Sequence, residues 1–352
     1  MIMMSKPTWI DQTLSAAVRS HFTSDQLTRL AGLLSGLGIQ TAGIYMPDWR
    51  QYCPDLSGVR QHLTLWGMVD IGACDFEELQ QAGINQVIMV AHNICATGCF
   101  ANLEAVMAKA GRLEIDVVLL LEGLENLGEY DLLAVISKIN AYSLKGVFYG
   151  DETGRGNFRT IFSQISLLKN NLNCPIGIRA GNAYGLATAN TLAAMKAGVW
   201  QVVTAVAGVG GFAPWEEALM AAKQFTGENI EIPPALAGQC QQVLAVLQLT
   251  ISAGKAIIGP AIFAHESGLH VDGVTKDPWL YEPFAPELVG LSRQLIIGKH
   301  SGTTALKTKF ASWGIKLEDV DSQRLLASVR ALSVRNKSAI SDDELQRLYL
   351  SG

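Results

Sequence analysis

The sequence predicts an α/β protein, a (β/α)8 TIM barrel followed by a mainly helical C-terminal subdomain. Eight short apolar runs of strand type lie between Trp9 and Ala207, and amphipathic helical patterns separate most of them. Strands alternating with helices imply a parallel sheet. Eight buried, apolar strands favour a closed barrel over an open doubly wound sheet. Beyond Ala207 the strand signal ends, and helical and turn-rich sequence takes over.

The eight runs are Trp9–Leu14, Thr41–Met46, Leu63–Val69, Gln86–Val90, Ile115–Leu121, Gly146–Tyr149, Pro175–Arg179 and Val199–Ala207. One intervening helix starts at Ser24, a good capping residue, and carries Leu27, Leu30, Leu33 and Leu34 on one face. Gly36 and Gly38 end it. Another covers about Leu186–Lys196, with Gly198 just beyond, and Trp215–Phe225 reads as the last barrel helix. Gly227–Pro234 is a turn-rich connector, and a helix follows around Leu236–Leu249. From Gly259 the chain turns polar, then ends in an amphipathic stretch over Asp321–Leu350. A division near Pro233 gives a barrel domain over 1–232, and a linker helix with a C-terminal subdomain over 233–352.

Apolar residues make up 49% of the 352 and charged residues only 17%, so a large core is easily supplied. The low charge also suggests surface buried in an oligomer. A net charge of -5 argues against a nucleic-acid partner, which needs a basic face. The uncharged run from Ala197 to Trp215 is glycine-rich and contains Pro214, so it reads as a strand and its loop rather than a membrane helix. Met1–Pro7 lacks a basic region followed by an apolar one, so no signal peptide is expected. Six unevenly spaced cysteines in a chain this long form no disulfide framework, and a reducing cytoplasm is the expected compartment.

In barrels of this kind the working residues follow the strands. Two segments there carry a resemblance. The first is Arg179-Ala-Gly-Asn-Ala-Tyr-Gly-Leu, running on to Ala197-Gly198. The second is His265-Glu-Ser-Gly-Leu-His-Val-Asp-Gly-Val, then Tyr281-Glu-Pro-Phe and Gly298-Lys-His-Ser-Gly. Asp11-Gln-Thr-Leu, Asp151-Glu-Thr-Gly and Trp215-Glu-Glu-Ala keep the same order along the chain. Together they resemble the homocitrate and isopropylmalate synthase family of metal-dependent condensing TIM barrels, the second segment in particular the nitrogen-fixation type of homocitrate synthase. The resemblance implies acetyl-CoA and a 2-oxo acid such as 2-oxoglutarate as substrates. It also implies a divalent metal that polarises the keto group and an arginine that steadies developing charge. The metal is held by a carboxylate after the first strand and a His-x-His pair after the seventh.

This sequence departs from that pattern at the barrel mouth. The arginine position falls on Ser15, the metal carboxylate on Ala16, and the His-x-His pair on Arg179 and Gly181. A family glutamate becomes Gly43, a family asparagine becomes Ala207, and a Gly-Glu-Arg loop shortens to Gly210-Gly211-Phe212. Scaffold residues such as Gly185, Asn190 and Gly208 stay. No metal or other cofactor is therefore expected in this chain. His92, Cys95 and Cys99 follow the fourth run and could form a softer site, but a fourth ligand is missing and buried cysteines are commonly inert.

Arg179, Asn182, Glu122 and Asp151 are candidates for holding a substrate or small anion, although Arg179 could instead pair with Glu122 or Asp151. Glu122 and Asp151 could also act as acid and base, with structural ion pairing the better expectation. The resemblance places His265 and Tyr281 over a partner's barrel as catalytic residues acting in trans; Glu266, His270, Lys299 and His300 survive with them.

The leading expectation is a catalytically impaired subunit that pairs with a complete homocitrate synthase paralogue, or with itself as a dimer. It would have no nucleic-acid or membrane partner, and acetyl-CoA or a small carboxylate as a possible ligand. The alternatives are an active synthase with a divergent site and a metal-free barrel that binds a small anion. Ala16→Asp, Arg179→His and Gly181→His together should raise metal affinity if the mouth has kept its shape. A titration with manganese or zinc reads this directly.

Overall fold

The computed structural model describes residues 8–52, 54–92, 100, 103–265 and 282–351. Cys95, Cys99, Glu266, His270 and Tyr281 lie outside the described residues. The chain divides into two compact units. One comprises 1–233 with 239–250, and the other 234–238 with 251–352. Part of the linker helix, Leu236–Val246, thus belongs with the first unit.

The first unit is a closed parallel barrel. Its strands are β1 (Thr8–Asp11), β2 (Thr41–Tyr45), β3 (Thr64–Asp70), β4 (Gln86–Ala91), β5 (Asp116–Glu122), β6 (Gly146–Asp151), β7 (Ile176–Ala180) and β8 (Gln201–Ala205). Each pairs in parallel with the next, and β1 closes the circle on β8 with Thr8 opposite Gln201 and Asp11 opposite Thr204. The eight predicted runs match these strands in order. Their inner face packs as a core of Ile10, Trp66, Met68, Ile88, Val90, Val118, Leu120, Phe148 and Val203. The fit is close at Gly177, where a Cβ atom would stand 2.4 Å from the Phe148 ring.

Three of the differences from the sequence expectation have a local reason. The first strand stops at Asp11 rather than Leu14, because the Asp11 carboxylate accepts the Thr13 N–H at 2.8 Å and turns the chain into the helix Thr13–Arg19. The helix Ser24–Gly36 is capped by Thr23, not Ser24, through a reciprocal capping box with Gln26. The final amphipathic stretch is two helices, Asp319–Asn336 and Asp342–Leu350, parted by a left-handed residue at Lys337 (φ 53°). These helices belong to the second unit, whose core includes Ile297, Leu306, Phe310, Leu325, Val329 and Leu345. No helix among the described residues is long and apolar enough to cross a membrane.

The seam between β1 and β8 carries a buried hydrogen-bond relay. Thr13 Oγ1 donates to Asp11 at 2.8 Å and accepts the Val206 N–H at 2.9 Å. Asp11 has no solvent exposure, and burial pushes its carboxyl from an ordinary 3.8 up to about 7. Between those values the unfolded chain holds fewer protons at this group than the folded one. Its contribution to stability is therefore greatest below pH 3.8 and is lost as pH rises to about 7. The slope is at most roughly 1.4 kcal/mol per pH unit. Asp11→Asn should therefore gain stability relative to the parent between about pH 4 and pH 8. Urea unfolding at both pH values measures this, and an unchanged difference would rule out an Asp11 proton.

Candidate functional site

The C-terminal ends of the strands open into a cavity of about 330 Å³. Its wall includes Ser15 and Ala16 after β1, Tyr45 of β2, Asp70 of β3, His92 after β4, Glu122 of β5, Glu152 after β6 and Arg179 of β7. Each polar group arrives from a different strand end, as the barrel dictates.

Its centre is a cluster of charges. Glu122 is only 6% exposed. One of its oxygens lies 2.5 Å from His92 Nδ1, and the other 3.0 Å from the Arg179 guanidinium. Arg179 also lies 3.5 Å from Glu152 and stands over the Phe212 ring at 5.8 Å. The far nitrogen of His92 meets Asp70 at 3.0 Å. Burial raises the Glu122 carboxyl pKa against the Arg179 charge, and the neighbouring Glu152 raises it further. Burial lowers the His92 pKa, but the bonds and charges of Asp70 and Glu122 outweigh this and leave it raised.

The sequence-derived candidates separate into two groups. Glu122 and Arg179 meet, and Arg179 pairs with Glu122 rather than Asp151. Asp151 is fully buried and absent from the cavity wall. It accepts the Gly156 N–H at 3.2 and 3.3 Å and an amide N–H of Asn190 at 3.4 Å. Burial raises its carboxyl pKa. Asn182 also stays out of the wall, and its side chain accepts the Ala187 N–H at 3.2 Å, at the start of the helix Ala187–Ala197. Asp151 and Asn182 thus hold backbone at the mouth. In the second unit, His265 lies 3.7 Å from the buried carboxylate of Glu282, which Arg293 grips at 2.7–3.1 Å. Sequence reasoning missed Asp70 and Glu152. Both are acids at strand ends, and a search for acids at each strand's C-terminal boundary could have found them.

A closed parallel barrel with converging ionisable groups at its C-terminal mouth defines a TIM-barrel protein with a polar cavity at its strand ends. Residues 83–237 match the HMGL-like family model, and residues 257–337 match the model described as homocitrate synthase post-HMGL domain-like. Homocitrate synthase 1 of Nostoc sp. is 37% identical over 222 residues, 59% of each chain. 2-Isopropylmalate synthase 2 of Caldanaerobacter subterraneus subsp. tengcongensis is 39% identical over 196 residues, 54% of this chain and 51% of that one. Homocitrate synthase AksA of Methanosarcina acetivorans is 35% identical over 212 residues, 59% and 52%. The chain spans just over half the length of these curated relatives. The hydroxymethylglutaryl-CoA lyase of Pseudomonas aeruginosa superposes with a TM-score of 0.59 at 17% identity, covering 74% of this chain and 99% of that one. Likeness at that identity speaks for the fold alone. The chain belongs to the HMGL-like family as a homocitrate synthase-like member.

The family is metal-dependent, and the positions that hold its metal do not fit one here. Ala16 offers no ligand atom, and Arg179 places a cation where an imidazole would bind. At Gly181 a Cβ atom would lie 2.5 Å from the carbonyl oxygens of both Asp151 and Glu152. The space for the family glutamate at Gly43 is taken by the Gln12 amide, 2.1 Å from where a Cβ would stand. Ser15 Oγ is engaged in accepting the Tyr45 N–H at 3.1 Å. The mouth has been repacked around the substitutions.

The crowding at Gly181 opposes placing all three ligands at once. Gly181→His forces backbone against side chain and should cost at least about 1–3 kcal/mol, the usual range for overpacking. Ala16→Asp faces the cavity and should cost far less. Comparative urea unfolding of the two single variants checks this; equal stability would mean the strand-seven loop yields readily.

Proposed function

We propose that this chain is an accessory subunit of a homocitrate synthase system, with little condensing activity of its own. The supporting observation is the Arg179–Glu122 contact at 3.0 Å. A fixed protein cation neutralises a buried carboxylate at the mouth where the family would present imidazole ligands. With Ser15 in place of the arginine, charge developing on a condensing substrate also loses its stabiliser. Removal of one such group typically costs about 10²–10³ in rate.

His265 and Tyr281 would act on a complete partner's barrel. A second reading, a competent synthase with relocated ligands, draws support from the acids Asp70, Glu122 and Glu152 gathered around His92.

Release of free coenzyme A from acetyl-CoA and 2-oxoglutarate tests the choice. Alone, and supplied with manganese, magnesium or zinc, the chain should turn over at least about a hundredfold more slowly than a complete homocitrate synthase. Mixed with one, it should form a hetero-oligomer on a sizing column. In that mixture His265→Ala should slow turnover by about a hundredfold or more relative to the parent mixture while assembly persists. Fast turnover alone would establish the competent enzyme; absence of a mixed species would remove the accessory role.

A further inference from the structure

We propose that His92, Glu122 and Glu152 form a divalent transition-metal site at the ends of β4, β5 and β6, displaced from the positions at which the family holds its ion. Each residue offers one ligand atom, and the three atoms lie within 4.8 Å of one another. One imidazole and two carboxylates suit manganese, iron, cobalt or zinc, and three protein ligands leave further positions open to the cavity.

Two observations beyond the grouping point to an ion. The first is the orientation of His92. An Asp70 oxygen lies 3.0 Å from its Nε2, while its Nδ1 faces a Glu122 oxygen at 2.5 Å. Such a carboxylate behind a histidine is the usual outer support of a metal-bound imidazole.

The second is Glu122. It is more than nine-tenths buried, and its Oε1 accepts no hydrogen bond among the described residues. The Arg179 guanidinium approaches that oxygen as a charge contact at 3.0 Å. Arg179 therefore occupies one face of the carboxylate, and the other faces His92.

The inference is independent of the accessory-subunit reading. The full chain, stripped with chelator and dialysed, is titrated with Mn²⁺ by electron paramagnetic resonance and with Zn²⁺ by calorimetry. One ion per chain is expected to bind. His92→Ala and Glu152→Gln should each weaken binding by tenfold or more. Both side chains are at least half exposed, so the fold should survive, and circular dichroism checks that it does. Asp70→Asn should weaken binding by about tenfold, as outer-shell substitutions do. No stoichiometric binding by the parent, or binding that survives both His92→Ala and Glu152→Gln, overturns the site. A bound ion without coenzyme A release leaves the accessory reading intact. Fast release with an ion bound removes that reading and keeps this site.

Discussion

A parallel barrel holds together only if its first strand finds its last, and here that seam depends on a carboxylate without access to water. Asp11 ends β1, accepts from Thr13, and through the Thr13 hydroxyl reaches the backbone at Val206 just past β8. Neither strand could shift by one residue without stranding these groups in a core that offers no other partners. The same solution recurs around the mouth. Asp151 holds the Gly156 backbone, and Glu216 accepts the Ala207 N–H at 2.8 Å, where a left-handed alanine (φ 55°) turns the chain after β8. Internal acids fix the loops, and the loops fix where the remaining side chains can meet.

Glu122 is the exception among these acids. Its neighbours are ionisable side chains rather than backbone amides, so its environment is set by charge. The opposing guanidinium of Arg179 makes that environment tolerable at the cost of desolvating both groups. A buried pair of this kind is weak evidence for stability, yet removal of either member would leave an uncompensated charge. That asymmetry gives a physical reason for Arg179 and Glu122 to persist together.

The residues that stand where the resemblance expects metal ligands and the packing around them are two separate observations. The residue identities at 16, 179 and 181 establish the first. The crowding at Gly181 and the Gln12 amide against Gly43 establish the second. Together they describe a mouth adapted to its present residues.

The order and type of the barrel elements were legible in the sequence, because apolar runs buried on both faces announce themselves without reference to partners. So were the missing ligands, which are matters of identity alone. Strand ends were less legible. Asp11 stops β1 early through a side-chain hydrogen bond that competes with the ladder, and no apolar pattern records that. The charge cluster could be seen only in space. Asp70, His92, Glu122, Glu152 and Arg179 are scattered along the chain from β3 to β7, and only closure of the barrel brings their side chains to one cavity. The sequence by itself determined the barrel and which residues follow its strands. Tertiary structure alone decided which acids serve the backbone and which face the cavity. That choice depends on strand register and the space beside each Cβ, and neither can be read from residue identity.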